Sequence, residues 1–244
     1  MIELRSLHEG CAERRQDAVC LSCGARAFSV CARLASEDLA QLDAIAERVS
    51  LGAGEVLARE DDPAVSVFNV TSGAVRIFKL LADGRRQIIG FLFAGDFIGL
   101  AAGERYGVSV EAIEDTTVCR FRRTEYLSLA HQRPTLEAAL LDRAMHELAV
   151  ARNQMMLLGR KTARERLASF LLDMQAREPA KGAGVTVRLP MTRSDIADYL
   201  GLTIETVSRE ITKLKSAGVV QALSLHELKI ERPEQLRALA EGDA

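Results

Sequence analysis

Two residues separate Cys20 from Cys23 and seven separate Cys23 from Cys31 near the start of the chain, and Cys119 lies far downstream. Four such thiols can serve one centre only if the fold returns Cys119 to the N-terminal group. Their chemistry is that of a metal or iron–sulfur site held by thiolates. Five cysteines is an odd number, and the first thirty residues lack the basic start and apolar middle of a secretory signal, so ligands or buried thiols are expected before disulfides. The spacing by itself leaves zinc and an iron–sulfur cluster open, although there is one C-x2-C pair where four-cysteine zinc sites generally have two.

A second set of chemically able residues lies near the other end. Glu205, Ser208 and Arg209 fall at i, i+3 and i+4, so on a helix they project together. In a DNA major groove Arg can donate twice to guanine, Glu can accept from cytosine N4, and Ser can reach a base edge or a phosphate. The wider outward face is Thr203, Glu205, Thr206, Ser208, Arg209 and Thr212. The competing expectation for those residues is a solvated face on which Glu205 and Arg209 pair with each other.

The elements that must position these groups follow from pattern. Thr192 is an expected N-cap for a helix through Leu200 that buries Ile196, Ala197 and Leu200; Gly201 supplies a tight turn, and Thr203 starts the next helix. Leu202, Val207, Ile211 and Leu214 are its expected core positions, with Gly218 just past its end. Val219-Val220 to Ile230 reads as a hairpin, completing a winged helix-turn-helix. Pro134 opens a stretch free of Gly and Pro as far as Leu158. Its Leu141, Ala144, Leu148, Ala151, Met155 and Leu158 repeat at the 3-4 spacing of a coiled-coil seam, which predicts a homodimer. Gly159 is expected to interrupt that helix; a second predicted helix, from about Thr162 to Arg177, buries Ala163, Leu167, Phe170 and Leu171. Glu178 to Gly184 reads as a linker and Val185 to Leu189 as a short strand. Ser36 is an expected N-cap for a short helix. Between 51 and 126, β-branched runs broken by Gly73, Asp83-Gly84 and Gly95-Asp96 predict antiparallel hairpins of a small β-roll or barrel.

The fold class expected is therefore α+β: a β-roll like those that bind cyclic nucleotides, joined by a long dimerisation helix to a winged helix-turn-helix. The domain division is a cysteine-rich sensor segment at 1–33, the β-roll at 34–130, the dimerisation helix at 131–159 and the DNA-binding domain at 160–244. At 244 residues, 48% hydrophobic and 27% charged, the chain has the makings of two modest globular domains. Net charge is −2, yet residues 160–232 carry thirteen Lys and Arg against nine Asp and Glu, so the C-terminal third is the part suited to phosphates. No apolar run is long enough to cross a membrane, and a cytoplasmic protein is expected.

Over essentially its full length the chain resembles the CRP/FNR superfamily of bacterial transcription regulators and, within it, the oxygen-responsive FNR, FnrN and FnrL group. The residues that carry the likeness are the cysteine cluster, Gly95-Asp96-Phe97-Ile98-Gly99, the long helix, Lys161-Thr162-Ala163-Arg164-Glu165-Arg166-Leu167, and Thr192 through Thr203. Glu205-Thr206-Val207-Ser208-Arg209 is similar to the E-x-x-S-R recognition sequence of that group, which implies binding to double-stranded DNA at TTGAT-N4-ATCAA-like palindromes. The resemblance also implies a [4Fe–4S] cluster held by Cys20, Cys23, Cys31 and Cys119, with RNA polymerase as a partner. The x7 spacing before Cys31 looks like the FnrN or FnrL variant. Cys11 is left as a spare thiol, so Cys11→Ser should leave the cluster in place.

Superfamily members that bind cyclic AMP have a G-E…R-S/A cassette. Here Gly95-Asp96 stands in place of Gly-Glu, and no Arg precedes Ser or Ala around Tyr106-Gly107-Val108-Ser109; Arg105 is the only nearby cation. A cyclic phosphate would be buried uncompensated, so no cyclic nucleotide is expected. The four histidines are scattered, and no nucleophile elbow, phosphate-binding glycine loop or paired-carboxylate motif is present, so the chain is not expected to be an enzyme. The rival readings are a regulator of the same fold using zinc, haem or no cofactor, and a cyclic-nucleotide-binding module.

Overall fold

The computed structural model describes Cys20 and residues 23–100, 103–177 and 185–242. The expected linker at 178–184, Cys11 and most of the cysteine-rich segment lie outside the described residues. After two 3-10 turns, Arg26–Phe28 and Val30–Arg33, the chain forms helix α1 (Ser36–Ala44). The eight strands that follow are β1 (Glu47–Leu51), β2 (Val56–Ala58), β3 (Ser66–Ser72), β4 (Ala74–Leu80), β5 (Arg86–Phe93), β6 (Phe97–Ile98), β7 (Ser109–Ala112) and β8 (Thr116–Arg122). They build two four-stranded sheets, ordered β1-β8-β3-β6 and β2-β7-β4-β5. The inner faces enclose Phe68, Val70, Val75, Ile98, Tyr106, Val110 and Val118, so the roll has an apolar interior.

Hairpin geometry explains why glycine punctuates this region. Gly73, between β3 and β4, has φ +80, and a Cβ there would sit 2.5 Å from the Asp115 carbonyl oxygen. Only glycine fits both the backbone and the space.

Helices α2 (Arg123–Gln132) and α3 (Pro134–Arg160) follow, and α3 carries Pro134 in its first turn, where the missing N–H costs nothing. α4 (Ala163–Arg177), β9 (Val185–Arg188), α5 (Arg193–Leu200), α6 (Ile204–Ser216), β10 (Val220–Ala222), β11 (Glu227–Ile230) and α7 (Pro233–Glu241) complete the fold. The three C-terminal strands form one sheet, ordered β10-β11-β9. Among the described residues no helix is long and apolar enough to cross a membrane.

Four local expectations need correction. Ser36 is not an N-cap: it is the first helical residue, after an Ala35 that offers no side chain to the exposed amides. Gly159 does not interrupt α3, because it faces open space and tolerates a helical backbone; the helix ends at Lys161, which turns extended. There Arg166 takes over the loose carbonyls, donating to Leu158 O (2.8 Å), Lys161 O (2.9 Å) and Leu200 O (2.9 Å). Ala163 is half-buried, and Ala168 and Met174 join Leu167, Phe170 and Leu171 in the core instead. The expected strand ends at Arg188, one residue before Leu189.

One apolar cluster crosses between the roll and the C-terminal part. Phe78, Ile88 and Phe91 of the β4–β5 hairpin pack with Phe170, Ile196, Leu200 and their neighbours, and the rings of Phe91, Phe170 and Tyr199 lie 5.3–6.2 Å apart in tilted pairs.

Candidate DNA interface and cysteine pocket

The helix-turn-helix is set by caps and a positive-φ turn. Asp195 N donates to Thr192 Oγ1 (3.1 Å) and Thr192 N donates to Asp195 Oδ2 (3.0 Å), a reciprocal capping box at the start of α5. Gly201 closes the helix at φ +62, ψ 42, and Leu202 N returns to Ala197 O (3.0 Å). Thr203 then caps α6 by accepting from Thr206 N (3.3 Å). Val207, Ile211 and Leu214 are buried, as their spacing predicts.

The opposite face of α6 is open. Thr203, Glu205, Ser208, Arg209 and Thr212 are exposed and Thr206 is half-buried. Arg209 does not pair with Glu205: it donates to Thr206 Oγ1 (3.4 Å) and approaches Glu210 Oε1 at 3.8 Å. Backbone and Thr203 hydrogen bonds at the helix start hold the Glu205 carboxyl below its ordinary pKa, so it is an anion ready to accept. Glu210, which the sequence pattern did not single out, is buried on the other side and is held by Lys213 (2.7 Å) and Arg164 (3.4 Å). Burial is the largest single effect and raises its pKa, but the Lys213 and Arg164 contacts together outweigh it and hold the carboxyl below its ordinary value.

α5 is also anchored from outside its own domain. Asp195, 1% exposed, receives Arg86 (2.7 Å) and Arg76 (3.1 Å) from the β-roll. Arg86 reaches Asp198 as well (2.8 Å), while Gln87 donates to the Asp198 carbonyl (2.7 Å). The only sequence signal for this contact was the run of polar residues at the edge of β5, indistinguishable there from an ordinary solvated edge.

The second site is assembled from distant segments. On β8, Val118 points into the roll while Cys119 and Phe121 face outward; α1, α2 and the 3-10 turns cover that outer face. Cys20, Cys31 and Cys119 are buried in the resulting apolar cluster with Leu39, Leu42, Phe97 and Tyr126; Cys23 is half-buried beside them. All four are free thiols. Cys31 N donates to Ser29 Oγ (3.2 Å), and Cys20 N to Asp43 Oδ1 (3.2 Å).

Burial dominates the electrostatics of this pocket. It pushes Cys20 and Cys31 up, with Asp43 adding to the effect at Cys20, and pushes Cys119 up to about 11, where Cys23 and Cys31 add further. Cys119 and Cys31 act on Cys20, and Cys23 acts on both Cys31 and Cys119, so the N-terminal thiols and the β8 thiol share one electrostatic neighbourhood. Burial therefore keeps Cys20, Cys31 and Cys119 as neutral thiols, and a cationic centre would have to displace their protons to bind. Among the described residues no three His, Cys, Asp or Glu side chains are set to hold a metal ion.

Along α3, Leu141 (63% exposed), Ala144, Leu148, Ala151 and Met155 (65%) form an open stripe, widened by Met145 and Met156. Leu158 departs from it: half-buried, it packs with the C-terminal core and touches the Gly201 turn. In the roll, Arg105 turns to the Asp61 carbonyl at the surface.

Residues 165–239 match the profile of the Crp-like helix-turn-helix domain, and residues 48–133 that of the cyclic nucleotide-binding domain. The nitrogen fixation regulation protein FixK of Bradyrhizobium diazoefficiens is 43% identical over 222 residues, 91% of this chain and 93% of that protein. The transcriptional activator protein FnrL of Cereibacter sphaeroides is 39% identical over 82% of this chain and 83% of its own. Among solved structures, FixK2 from Bradyrhizobium japonicum superposes with a TM-score of 0.75 at 40% identity, covering 80% of this chain and 97% of that one.

Proposed function

The chain belongs to the CRP/FNR family of transcription regulators, DNA-binding proteins rather than enzymes, and from that premise we propose an oxygen-responsive homodimer whose input is the cysteine pocket. The observation that carries this reading is the gathering of Cys119 with Cys20, Cys23 and Cys31 beneath α1, in a chain whose other end presents an open recognition helix. The chemistry of the residues suits a [4Fe–4S] cluster in two respects: four thiols are available as sulfur donors, and apart from Asp43 beside Cys20 the walls named around them are apolar. When bound, the cluster would supply an oxygen-labile cross-link among Cys20, Cys23, Cys31 and Cys119.

The chain's own residues supply the rest. A second copy of α3 laid along Leu141, Ala144, Leu148, Ala151 and Met155 removes that stripe from water. Two α6 helices then meet one face of the duplex about 34 Å apart. Glu205, Ser208 and Arg209 read base edges of a TTGAT-N4-ATCAA-like palindrome, with RNA polymerase as the downstream partner. The apolar filling of the roll interior and the contact of Arg105 with the Asp61 carbonyl support a sensor that does not use a cyclic nucleotide.

A second reading rests on the thiols not being set to hold a metal: a regulator of the same fold with no cofactor, in which they are buried or redox-active. An anaerobic absorption spectrum with iron and sulfide analysis, followed by air exposure and a gel shift on the palindrome, separates the two. A visible band that bleaches in air, together with loss of the shift, is expected. Colourless iron-free protein that still shifts the palindrome selects the second reading, and zinc or haem would declare itself in the same analyses.

A further inference from the structure

Gly95-Asp96 forms the turn between β5 and β6, and its carboxylate reaches the helices packed beside the roll. Asp96 is 5% exposed. Its Oδ2 accepts from Phe93 N (2.9 Å) and from Arg177 Nη1 (3.0 Å), and its Oδ1 accepts from Arg143 Nη2. Arg143 belongs to α3, and Arg177 is the last residue of α4, the first helix of the DNA-binding part. The Arg177 guanidinium also lies over the Phe93 ring, 5.0 Å from its centroid. Glu147 shares Arg143 at 3.7 Å.

The turn that carries Asp96 is itself pressed by the cysteine loop. Gly95 has φ +96, and a Cβ there would fall 2.8 Å from the carbonyl oxygen of Phe28, in the loop between Cys23 and Cys31. On its other side the turn is fastened to β3, through Gly95 N to Val70 O (2.8 Å) and Val70 N to Asp96 O (2.9 Å). A carboxylate held this far from water needs both guanidinium partners, because losing either leaves charge poorly compensated in a buried place. One turn thus connects three parts: Gly95 meets the cysteine loop by close packing, and the Asp96 carboxylate meets the dimer helix and the DNA-binding helix by charge.

We propose that Asp96 is a positioning residue that holds α3 and α4 in register with the cysteine loop, so that displacement of the loop is felt at both helices. The proposal takes from the preceding section that the loop is the input and the helix-turn-helix the output, but it does not require any particular cofactor.

Hydrogen exchange on the full-length protein, purified without added iron, tests it with Arg177→Gln and Asp96→Asn. Arg177→Gln acts on a half-exposed side chain at the far end of the link and keeps the test valid if Asp96→Asn fails to fold. The expected result is exchange at the Cys31, Ala32 and Leu34 amides faster by at least about 5-fold, the lower end of ordinary coupling between sites. Those amides bond only within the loop, so a purely local ion pair would leave them untouched. Faster exchange confined to α4 overturns the proposal. The iron and sulfide content of the anaerobically reconstituted protein is a separate readout, so a failed cluster assignment and a failed link are distinguishable.

Discussion

The helix-turn-helix and the cysteine pocket are built in opposite ways. In the first, the capping box, the left-handed glycine and the Thr203 cap all lie within a dozen residues of one another, so the recognition face is shaped locally. In the second, the thiols come from a 3-10 loop and from a strand almost a hundred residues away, brought together by packing alone. Local construction gives an exposed face on α6 that is fixed by neighbouring residues. Long-range construction gives a pocket in which burial keeps Cys20, Cys31 and Cys119 protonated.

The contrast can be broken most forcefully through stability. Ile196→Ala removes buried methylenes from the centre of the helix-turn-helix and should cost about 2–5 kcal/mol in chemical denaturation, whether or not a cofactor is present. Cys119→Ala should cost much less in cofactor-free protein and show its effect only when cofactor is supplied. Equal losses from the two substitutions without cofactor would end the distinction.

Recognition comes next in size. Arg209→Ala leaves α6 folded, because that side chain is exposed and its weak contact with Glu210 is backed by the Lys213 and Arg164 pairs that remain. Palindrome affinity should fall by about 1–3 kcal/mol, with selectivity relaxed at one base pair per half-site, as read by competition binding across single-base variants. A uniform loss over all sequences would make it a phosphate contact.

Capping gives a smaller and sharper comparison. Thr192→Ala should destabilise by about 1 kcal/mol, whereas Ser36→Ala should change stability by no more than a few tenths, since Ser36 caps nothing. Thermal melts of the two single variants decide it.

The smallest effect is a dependence on pH. The Cys119 thiol lies above its ordinary value of 9.0, at about 11, so the folded chain holds its proton longer than the unfolded chain does. The stability this contributes is complete below about 9 and declines as pH rises toward 11. The melting temperature of cofactor-free wild type should therefore fall slightly more steeply over that interval than that of Cys119→Ala.

Legibility followed the same division. Thr192, Gly201, Thr203 and the buried Ile196, Val207 and Leu214 were readable because each obeys a rule spanning fewer than five residues. The hairpins around Gly73 and Gly84 were readable for the same reason. What escaped was the far side of each contact. Nothing in the run Arg86-Gln87 distinguishes an edge-strand arginine in water from one that meets Asp195 and Asp198, because the partners lie more than a hundred residues on. Gly159 misled because glycine's cost in a helix is modest and was outweighed by the carbonyl contacts of Arg166.

The sequence by itself determined the recognition helix, the apolar stripe of α3, the strand-rich roll and the cysteine spacing, since period, cap and turn are properties of neighbouring residues. Only the tertiary structure decided that Cys119 faces outward to meet the N-terminal thiols, that Leu158 leaves the stripe for the Gly201 turn, and that Asp96 gathers Arg143 and Arg177. The physical reason is that burial and charge compensation depend on which segments share a volume, and that is fixed by packing of the whole chain rather than by any stretch of it.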